Sequence, residues 1–204
     1  MHRYIAAAAV TLVTLPTLTA QAGQPVEAGQ AAPSFTLRDA TGNEVSLTDY
    51  QGKFVVLEWV NFGCPFVRKH YDSGNMQALQ KTYTDKGVVW LSICSSAEGK
   101  QGYYAGSDLT KHLAKEKAVP TAYLVDSEGT VGRAYGAKTT PHMWVIDPKG
   151  VVLFAGGIDD KASTDTDDIA TATNYVRATL DAAMTGKPVG VKSAKPYGCS
   201  VKYR

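Results

Sequence analysis

Cysteine is the residue type with the clearest chemistry in this chain, and Cys64 has the most informative surroundings. It follows a nearly unbroken apolar run from Phe54 to Val60, which is typical of a buried strand, and Pro65 comes directly after it. Because proline suits the first position of a helix, Cys64 is predicted to lie at a helix start. The unpaired N–H groups and the dipole there lower a thiol pKa from about 8.5 and favour the thiolate, which attacks disulfides and peroxides. The alternative is a buried, inert cysteine that packs as a small hydrophobe.

Arg68 is a cation that can act on the same sulfur. It lies four residues after Cys64, the spacing that places two side chains on one face of a helix. Its guanidinium would then favour the thiolate further. The sequence therefore predicts Arg68 as part of the site.

Once Cys64 is oxidised it needs a second thiol, and the chain offers Cys199 and Cys94. Cys199 is the stronger candidate for this resolving thiol, because the segment from Gly186 spans up to roughly 45 Å when extended and can return over the domain. Cys94 ends a predicted strand beside that of Cys64, at the sheet edge where α/β proteins place their sites. Simpler interpretations stay open: burial of Cys94 in the core, and for Cys199 a structural disulfide, for example with Cys94, or a free tail thiol.

Glu58 is an acidic residue inside the apolar run, six positions before Cys64. A carboxyl group buried among Leu57, Trp59 and Val60 has a raised pKa and can move protons, so Glu58 is a candidate proton shuttle. Alternatively, strand alternation turns it towards a wetter face, or it pairs with a lysine.

The hydrophobic pattern predicts the elements that position these residues. Buried strands are expected over 54–60, 88–93, 122–125, 143–146 and 151–155, with helices after Cys64, at 108–117 and at 169–184. The last two strands are joined by the short turn Asp147–Gly150, which is too short for a crossover, so they must be antiparallel. Strands that alternate with helices and end in a hairpin indicate an α/β sandwich with a mixed central sheet.

The ends of the chain differ from its middle. Residues 1–22 are predicted to be a signal peptide, with Arg3 before an apolar run and Ala20-Gln21-Ala22 as the cleavage signal. Threonines and a proline interrupt that run, which argues against a membrane span. We expect a flexible lead-in at 23–32, the folded domain at 33–184 and a C-terminal tail carrying Cys199 at 185–204. The protein is therefore expected to be exported, with no membrane span in its mature form.

Composition excludes several other classes of function. A formal net charge of +2 is too small to argue for binding to nucleic acid or to an anionic membrane. His70, His112 and His142 do not stand at a metal-pair spacing with one another or with Cys64, so no metal is predicted.

Several separated motifs resemble the redoxin and AhpC/TSA branch of the thioredoxin superfamily. They are Ala32-Pro33-x-Phe35-x-Leu37, Ser46-Leu47-x-Asp49-Tyr50-x-Gly52-Lys53, Gly132-Arg133-Ala134-Tyr135-Gly136, Thr140-Pro141-His142 and Val145-Ile146-Asp147-x-x-Gly150. More narrowly, Gly63-Cys64-Pro65-Phe66-Val67 and the terminal Tyr197-Gly198-Cys199 resemble a peroxiredoxin-like subgroup that keeps a single cysteine of the thioredoxin C-x-x-C motif. Val67 stands in place of the second cysteine. Leu57 and Asn61 stand where typical peroxiredoxins carry proline and a peroxide-binding threonine.

The resemblance implies a thioredoxin-like α/β/α sandwich in which a cis-proline loop, Thr140-Pro141, faces Cys64 and holds the substrate through its backbone. His142 follows directly and is either a proton donor near the sulfur or an ordinary loop histidine. Glu58 takes the position of the buried acid of thioredoxins.

The implied function is that of an exported thiol-dependent oxidoreductase, periplasmic if the source is a Gram-negative bacterium. It would need no cofactor and would act with a redox partner protein or a small-molecule thiol or peroxide. One alternative is a thiol peroxidase that reduces hydroperoxides, although the threonine that helps to bind peroxide is missing. The other is a non-catalytic binding protein that uses the Tyr103-Tyr104 loop.

Overall fold

The computed structural model describes residues 25–204, so the predicted signal peptide and the start of the lead-in lie outside the described residues. The strands are β1 (Thr36–Asp39), β2 (Glu44–Ser46), β3 (Val55–Trp59), β4 (Val89–Cys94), β5 (Ala122–Val125), β6 (Thr139–Thr140), β7 (His142–Ile146), β8 (Val152–Gly156) and β9 (Cys199–Ser200). The helices are α1 (Pro65–Asp72), α2 (Asn75–Thr84), α3 (Gly106–Glu116), α4 (Thr130–Tyr135) and α5 (Tyr175–Met184).

Seven strands form one mixed sheet in the order β2-β1-β5-β4-β3-β7-β8. Strands β3, β4 and β5 run parallel, and the remaining neighbours are antiparallel. The five predicted strands all form, each within one residue of its expected ends, and the β7–β8 hairpin is antiparallel as the short turn requires. The mixed-sheet prediction is confirmed.

Both faces of the sheet are buried, which explains why its central strands are continuously apolar. On one face Val56 and Trp90 pack with side chains from α1, α2, α3 and α5. On the other face Trp59 and Trp144 pack with side chains from α4. The structure is therefore an α/β/α sandwich. Because side chains alternate along a strand, Glu58 lies on the first face, with Val56.

Parallel pairing of β3 with β4 places Cys94, at the end of β4, and Cys64, shortly after the end of β3, at the same edge of the sheet. Trp59 pairs with Ile93 at the end of both strands, and Cys94 follows at once. From β3 the chain turns through residues 60–63 into Cys64 and α1. The carboxyl edge of the sheet thus holds the candidate site, as expected for an α/β protein.

The predicted helix over 169–184 is wrong in its first turns. Only α5 forms, starting at Tyr175, and Asp167–Thr171 is a separate 3-10 turn. The reason is local capping, because the Asn174 side chain accepts a hydrogen bond from the Arg177 N–H (2.9 Å) and starts the helix there.

The segments on either side of the domain are bound to it. In the predicted flexible lead-in, Val26 is buried and its N–H donates to the Tyr135 carbonyl (3.2 Å). In the tail, β9 pairs antiparallel with β6. None of the helices within residues 25–204 has the length and apolar character needed to cross a membrane.

Candidate functional site

Cys64 is the N-cap residue of α1, with an extended backbone (φ −86°, ψ 125°) and Pro65 at the first helical position. This is the helix start that the proline predicts. Its carbonyl accepts hydrogen bonds from the N–H groups of Val67 (3.0 Å) and Arg68 (2.9 Å), which begins the helix. The side chain is completely buried.

The Thr140-Pro141 loop lies against the sulfur, and its peptide bond is cis, as the resemblance implies. As a thiol, Cys64 donates to the Thr140 carbonyl at 3.1 Å. The Thr140 hydroxyl is buried and has no hydrogen-bond partner of its own among the described residues. It is therefore free to turn towards the sulfur.

The tail brings Cys199 to the same place. Cys199 pairs with Thr140 in the β6–β9 ladder, and its N–H donates to the Cys64 Sγ at 3.4 Å. Neither thiol is in a disulfide. The structure thus brings the predicted nucleophile and the predicted resolving thiol into contact.

The surroundings drive the pKa values of the two thiols apart. Burial alone would raise the pKa of Cys64, but the thiol and N–H of Cys199 and the N–H of Val67 together lower it. Burial, the hydrogen bond to Cys64 and the charge of its thiolate raise the pKa of Cys199 to about 11. The pair therefore favours a thiolate on Cys64 and a proton on Cys199, the division of roles that a nucleophile and a resolving thiol require.

Glu58 is completely buried and fully hydrogen-bonded. Its carboxyl group accepts from Ser92 Oγ (2.7 Å), Trp90 Nε1 (2.8 Å), Tyr71 Oη (3.0 Å) and Gln80 Nε2 (3.2 Å). Burial raises the pKa of Glu58 although these hydrogen bonds oppose the shift. None of the described hydrogen bonds of Glu58 reaches Cys64, so this geometry supports a structural role more directly than a proton shuttle.

Arg68 does not face the sulfur as predicted. Its guanidinium forms ion pairs with Asp72 on its own helix and with Glu116 on α3. Cys64 is the cap rather than a helical residue, so the spacing rule for two side chains on one helix face does not hold between them. Against the effect of burial, which raises it, the Cys64 pKa is lowered by Cys199 and by the Val67 N–H.

His142 also points away from Cys64. Its ring packs on Trp144 with 4.0 Å between centroids, which places it on the sheet face opposite Glu58. Its Nδ1 accepts from the Lys138 N–H (3.3 Å), and burial lowers its pKa to about 3. A neutral ring on that face does not donate a proton to Cys64, so it is the hydrogen-bonded histidine of the second interpretation.

Cys94 lies in the core, where its thiol donates to the Gly102 carbonyl at 3.3 Å. It is buried and not in a disulfide, which matches the simpler interpretation left open for it. In the loop that a non-catalytic binding protein would use, Tyr104 stacks on His112 with 4.0 Å between ring centroids. The Tyr104 ring is therefore partly buried rather than fully exposed to solvent.

Two residues beside Cys199 were not assigned roles from the sequence. Tyr197 donates its hydroxyl to Asp159 Oδ1 (2.5 Å) and lies 3.4 Å from the Nε2 of His70 on α1. Gly198 has a φ of +132° and passes so close to the Thr140 carbonyl that a Cβ would lie 2.1 Å from its oxygen. The available signal was the Tyr-Gly-Cys sequence itself, since a glycine directly before a reactive cysteine indicates close backbone approach.

The chain is similar to a known family and to several named proteins. The family model described as "AhpC/TSA family" matches residues 28–155. Thioredoxin-like protein YneN of Bacillus subtilis is 30% identical over 128 residues, covering 62% of this chain and 69% of YneN. Thiol-disulfide oxidoreductase ResA of Bacillus thuringiensis is 25% identical over 131 residues, covering 64% of this chain and 69% of ResA.

Solved structures extend the likeness to most of the chain. An uncharacterized conserved protein from Geobacillus kaustophilus superposes with a TM-score of 0.73 at 28% identity, covering 89% of this chain and 95% of that one. The thioredoxin domain of a thiol-disulfide oxidoreductase from Bacteroides vulgatus superposes with a TM-score of 0.53 at 21% identity, covering 72% of this chain and 97% of that one. The second match shows the fold alone, and that fold is thioredoxin-like.

Proposed function

The chain belongs to the AhpC/TSA family, and on that premise we propose that it is an exported thiol-disulfide oxidoreductase in which Cys64 is the nucleophile and Cys199 the resolving thiol. The observation that carries the proposal is the hydrogen bond from the Cys199 backbone N–H to the Cys64 sulfur at the start of α1. Cys64 accepts the Cys199 N–H there (3.4 Å), and its pKa is lowered while that of Cys199 is raised. Cys64 can therefore attack as a thiolate, whereas Cys199 stays protonated until the second step.

The reaction proceeds in two balanced steps. The Cys64 thiolate attacks one sulfur of a substrate disulfide, forming a mixed disulfide and releasing the other substrate sulfur as a thiolate. The Cys199 thiol then gives up its proton and attacks the Cys64 sulfur, so that a Cys64–Cys199 disulfide forms and the second substrate thiol leaves. The substrate gains two electrons and the protein loses them. An external thiol returns the protein to its reduced form.

Export is the part of the proposal that rests on sequence alone. Its support is the charged start, apolar run and Ala20-Gln21-Ala22 cleavage signal of residues 1–22. A protein cycling between a dithiol and a disulfide suits an oxidising compartment such as the periplasm. Detection of a mature chain that starts at Gly23 in the exported fraction would test this part.

The activity is tested by following reduction of insulin disulfides with dithiothreitol as the reductant. We expect Cys64→Ser to abolish the protein-dependent rate. Reduced Cys199→Ser, mixed with insulin in the absence of dithiothreitol, should be left with Cys64 in a mixed disulfide. Cys94→Ser is the matched control, because this buried thiol contacts the Gly102 carbonyl rather than the site, and it should keep the rate. An unchanged rate in Cys64→Ser would refute the proposal. A wild-type protein that consumes hydrogen peroxide but leaves insulin intact would be a thiol peroxidase instead.

A further inference from the structure

The tail does more than deliver Cys199, because it is bound to the domain along its length. We call residues 192–204 the strap. At its start the Lys192 carbonyl accepts from the Ala155 N–H on β8 (3.2 Å). At its end the Tyr203 hydroxyl donates to the Ala137 carbonyl after α4 (2.8 Å). The strap therefore crosses the carboxyl edge of the sheet and is held on both sides of Cys64.

The middle of the strap occupies the backbone edge beside the nucleophile. Cys199 and Ser200 pair antiparallel with Thr140 and Thr139, and this is the pairing that β6 makes in the described structure. Cys64 is completely buried, and the Cys199 backbone N–H donates to its sulfur. An extended polypeptide can pair with β6 and reach Cys64 only where the strap now lies.

The strap also shows what kind of segment fits this edge. Gly198 lies at a φ of +132°, and a Cβ there would come within 2.1 Å of the Thr140 oxygen. The contact is with backbone, which cannot swing aside as a flexible side chain would. The position before the cysteine therefore admits only glycine, and the cysteine itself lies opposite Thr140 with its backbone N–H on the Cys64 sulfur.

Tyr197 is the anchor nearest to this segment. Its hydroxyl bridges Asp159 Oδ1 (2.5 Å) and His70 Nε2 (3.4 Å). Its ring packs edge-on against Phe66 on α1, with 5.9 Å between centroids. The two residues that follow it are Gly198 and Cys199, so the Tyr197 contacts fix the segment that lies on Cys64.

We propose that the strap is an internal mimic of a polypeptide substrate, in which Gly198-Cys199 takes the place of a partner's Gly-Cys segment and Tyr197 is the positioning residue whose release admits the partner. This inference rests on the proposed function and names its substrate class, an extended polypeptide whose reactive cysteine follows a glycine. When the strap lifts, the partner pairs with β6 and the Cys64 thiolate attacks its cysteine sulfur. A Cys64–partner S–S bond forms, the partner's S–S bond breaks, and the leaving thiolate takes a proton from water.

The probe is a short peptide with a central Gly-Cys pair, whose cysteine carries 5-thio-2-nitrobenzoate in a mixed disulfide. The full chain is used with Cys199→Ser, which keeps the strap backbone and leaves Cys64 to release the coloured thiolate. We expect Tyr197→Phe to raise the second-order rate constant about tenfold, the factor that one hydrogen bond to a charged group is worth. A peptide with alanine in place of the glycine should react at least about tenfold more slowly, because of its Cβ.

The matched control is Tyr83→Phe, which removes a similar hydroxyl bond to Asp181 (2.9 Å) far from the strap and should leave the rate constant unchanged. In the chain with Cys199 intact, Tyr197→Phe should lower the equilibrium constant for the Cys64–Cys199 disulfide against glutathione by a similar factor. Tyr83→Phe should leave this equilibrium constant unchanged. The comparison distinguishes loss of the Tyr197 positioning contacts from a general loss of stability. If Tyr197→Phe does not fold, Phe66→Leu replaces it, because it removes the edge-on contact of the Tyr197 ring and keeps the Cys199 N–H in the chain, with the same expected rise in peptide rate.

Two results would overturn the strap proposal while leaving the proposed function intact. One is a peptide rate that stays equal or falls when Tyr197 is changed. The other is equal rates for the Gly-Cys and Ala-Cys peptides. If no protein with Cys64 reacts faster than Cys64→Ser, the proposed function fails and the strap proposal fails with it.

Discussion

The backbone N–H of Cys199 donates to the sulfur of Cys64 at 3.4 Å, joining residues 135 positions apart in the chain. The contact depends on the β6–β9 ladder, which places Cys199 opposite Thr140. It gives the buried sulfur of Cys64 a polar neighbour where apolar packing would otherwise disfavour a thiolate. The nucleophile is thus completed by a tail from the far end of the chain.

The Cys199 side chain should control the acidity of Cys64. Burial raises the pKa of Cys64, and the Cys199 thiol is the first of the hydrogen-bond donors that lower it. In Cys199→Ala that donor is lost, so the pKa of Cys64 should rise. The measurement is the rate of iodoacetamide alkylation of the Cys64 peptide as a function of pH.

Arg68→Gln is the comparison for that experiment, because its guanidinium is bound by Asp72 and Glu116. It should leave the alkylation profile of Cys64 in place. A wild-type pKa near the 8.5 of a free cysteine, or the same profile in wild type and Cys199→Ala, would contradict this account.

Replacing Gly198 by alanine should disrupt the site without unfolding the domain. The new Cβ would clash with the Thr140 carbonyl and would also need a backbone conformation that alanine rarely adopts. We expect the equilibrium constant for the Cys64–Cys199 disulfide, measured against glutathione, to fall at least about tenfold, which corresponds to about 1.4 kcal/mol.

Gly190→Ala is a control in the same tail, since a Cβ at Gly190 meets nothing within 4 Å. Its disulfide equilibrium should equal that of wild type. Equal values for Gly198→Ala and wild type would show that the close approach at Thr140 is unimportant.

Glu58 should make stability depend on pH in a distinctive direction. Because burial raises its folded pKa above 4.5, its stabilising contribution is present below pH 4.5 and is lost as pH rises through the folded pKa. Glu58→Gln cannot titrate. The free energy of unfolding of wild type minus that of the variant, measured in urea, should therefore decrease as pH rises. A constant difference would mean that the carboxyl group titrates normally.

His142 should instead make the fold less stable as pH falls. Its pKa is lowered by burial to about 3, so the neutral ring stabilises the fold above about pH 6.5 and the contribution is lost as pH falls. The loss should be about 1.4 kcal/mol per pH unit below pH 6.5. His142→Asn keeps an acceptor for the Lys138 N–H and does not titrate. Its unfolding free energy should approach that of wild type on acidification, and a pH-independent gap would contradict burial of a neutral ring.

Local patterns predicted the strands and the start of α1, because apolar runs and a single proline carry that information directly. They could not predict which way His142 points. Both faces of β7 are buried, so alternation of residue types gives no clue to the face. The direction of Arg68 depends on Glu116, which arrives from α3 in a different part of the chain.

The strap was predicted only as a tail carrying a resolving thiol. Its residues show no hydrophobic period, because individual hydrogen bonds hold it in place, such as those of Tyr197 to Asp159 and Tyr203 to Ala137. Its partners lie 38 and 66 positions away. Only the folded chain brings such pairs together, so no local pattern could reveal them.

The most direct test of the account is peptide mass mapping of the full chain after mild oxidation. We predict one disulfide, between Cys64 and Cys199, with Cys94 left as a free thiol against the Gly102 carbonyl. A Cys94–Cys199 disulfide, or a Cys64 that stays unoxidised, would contradict it.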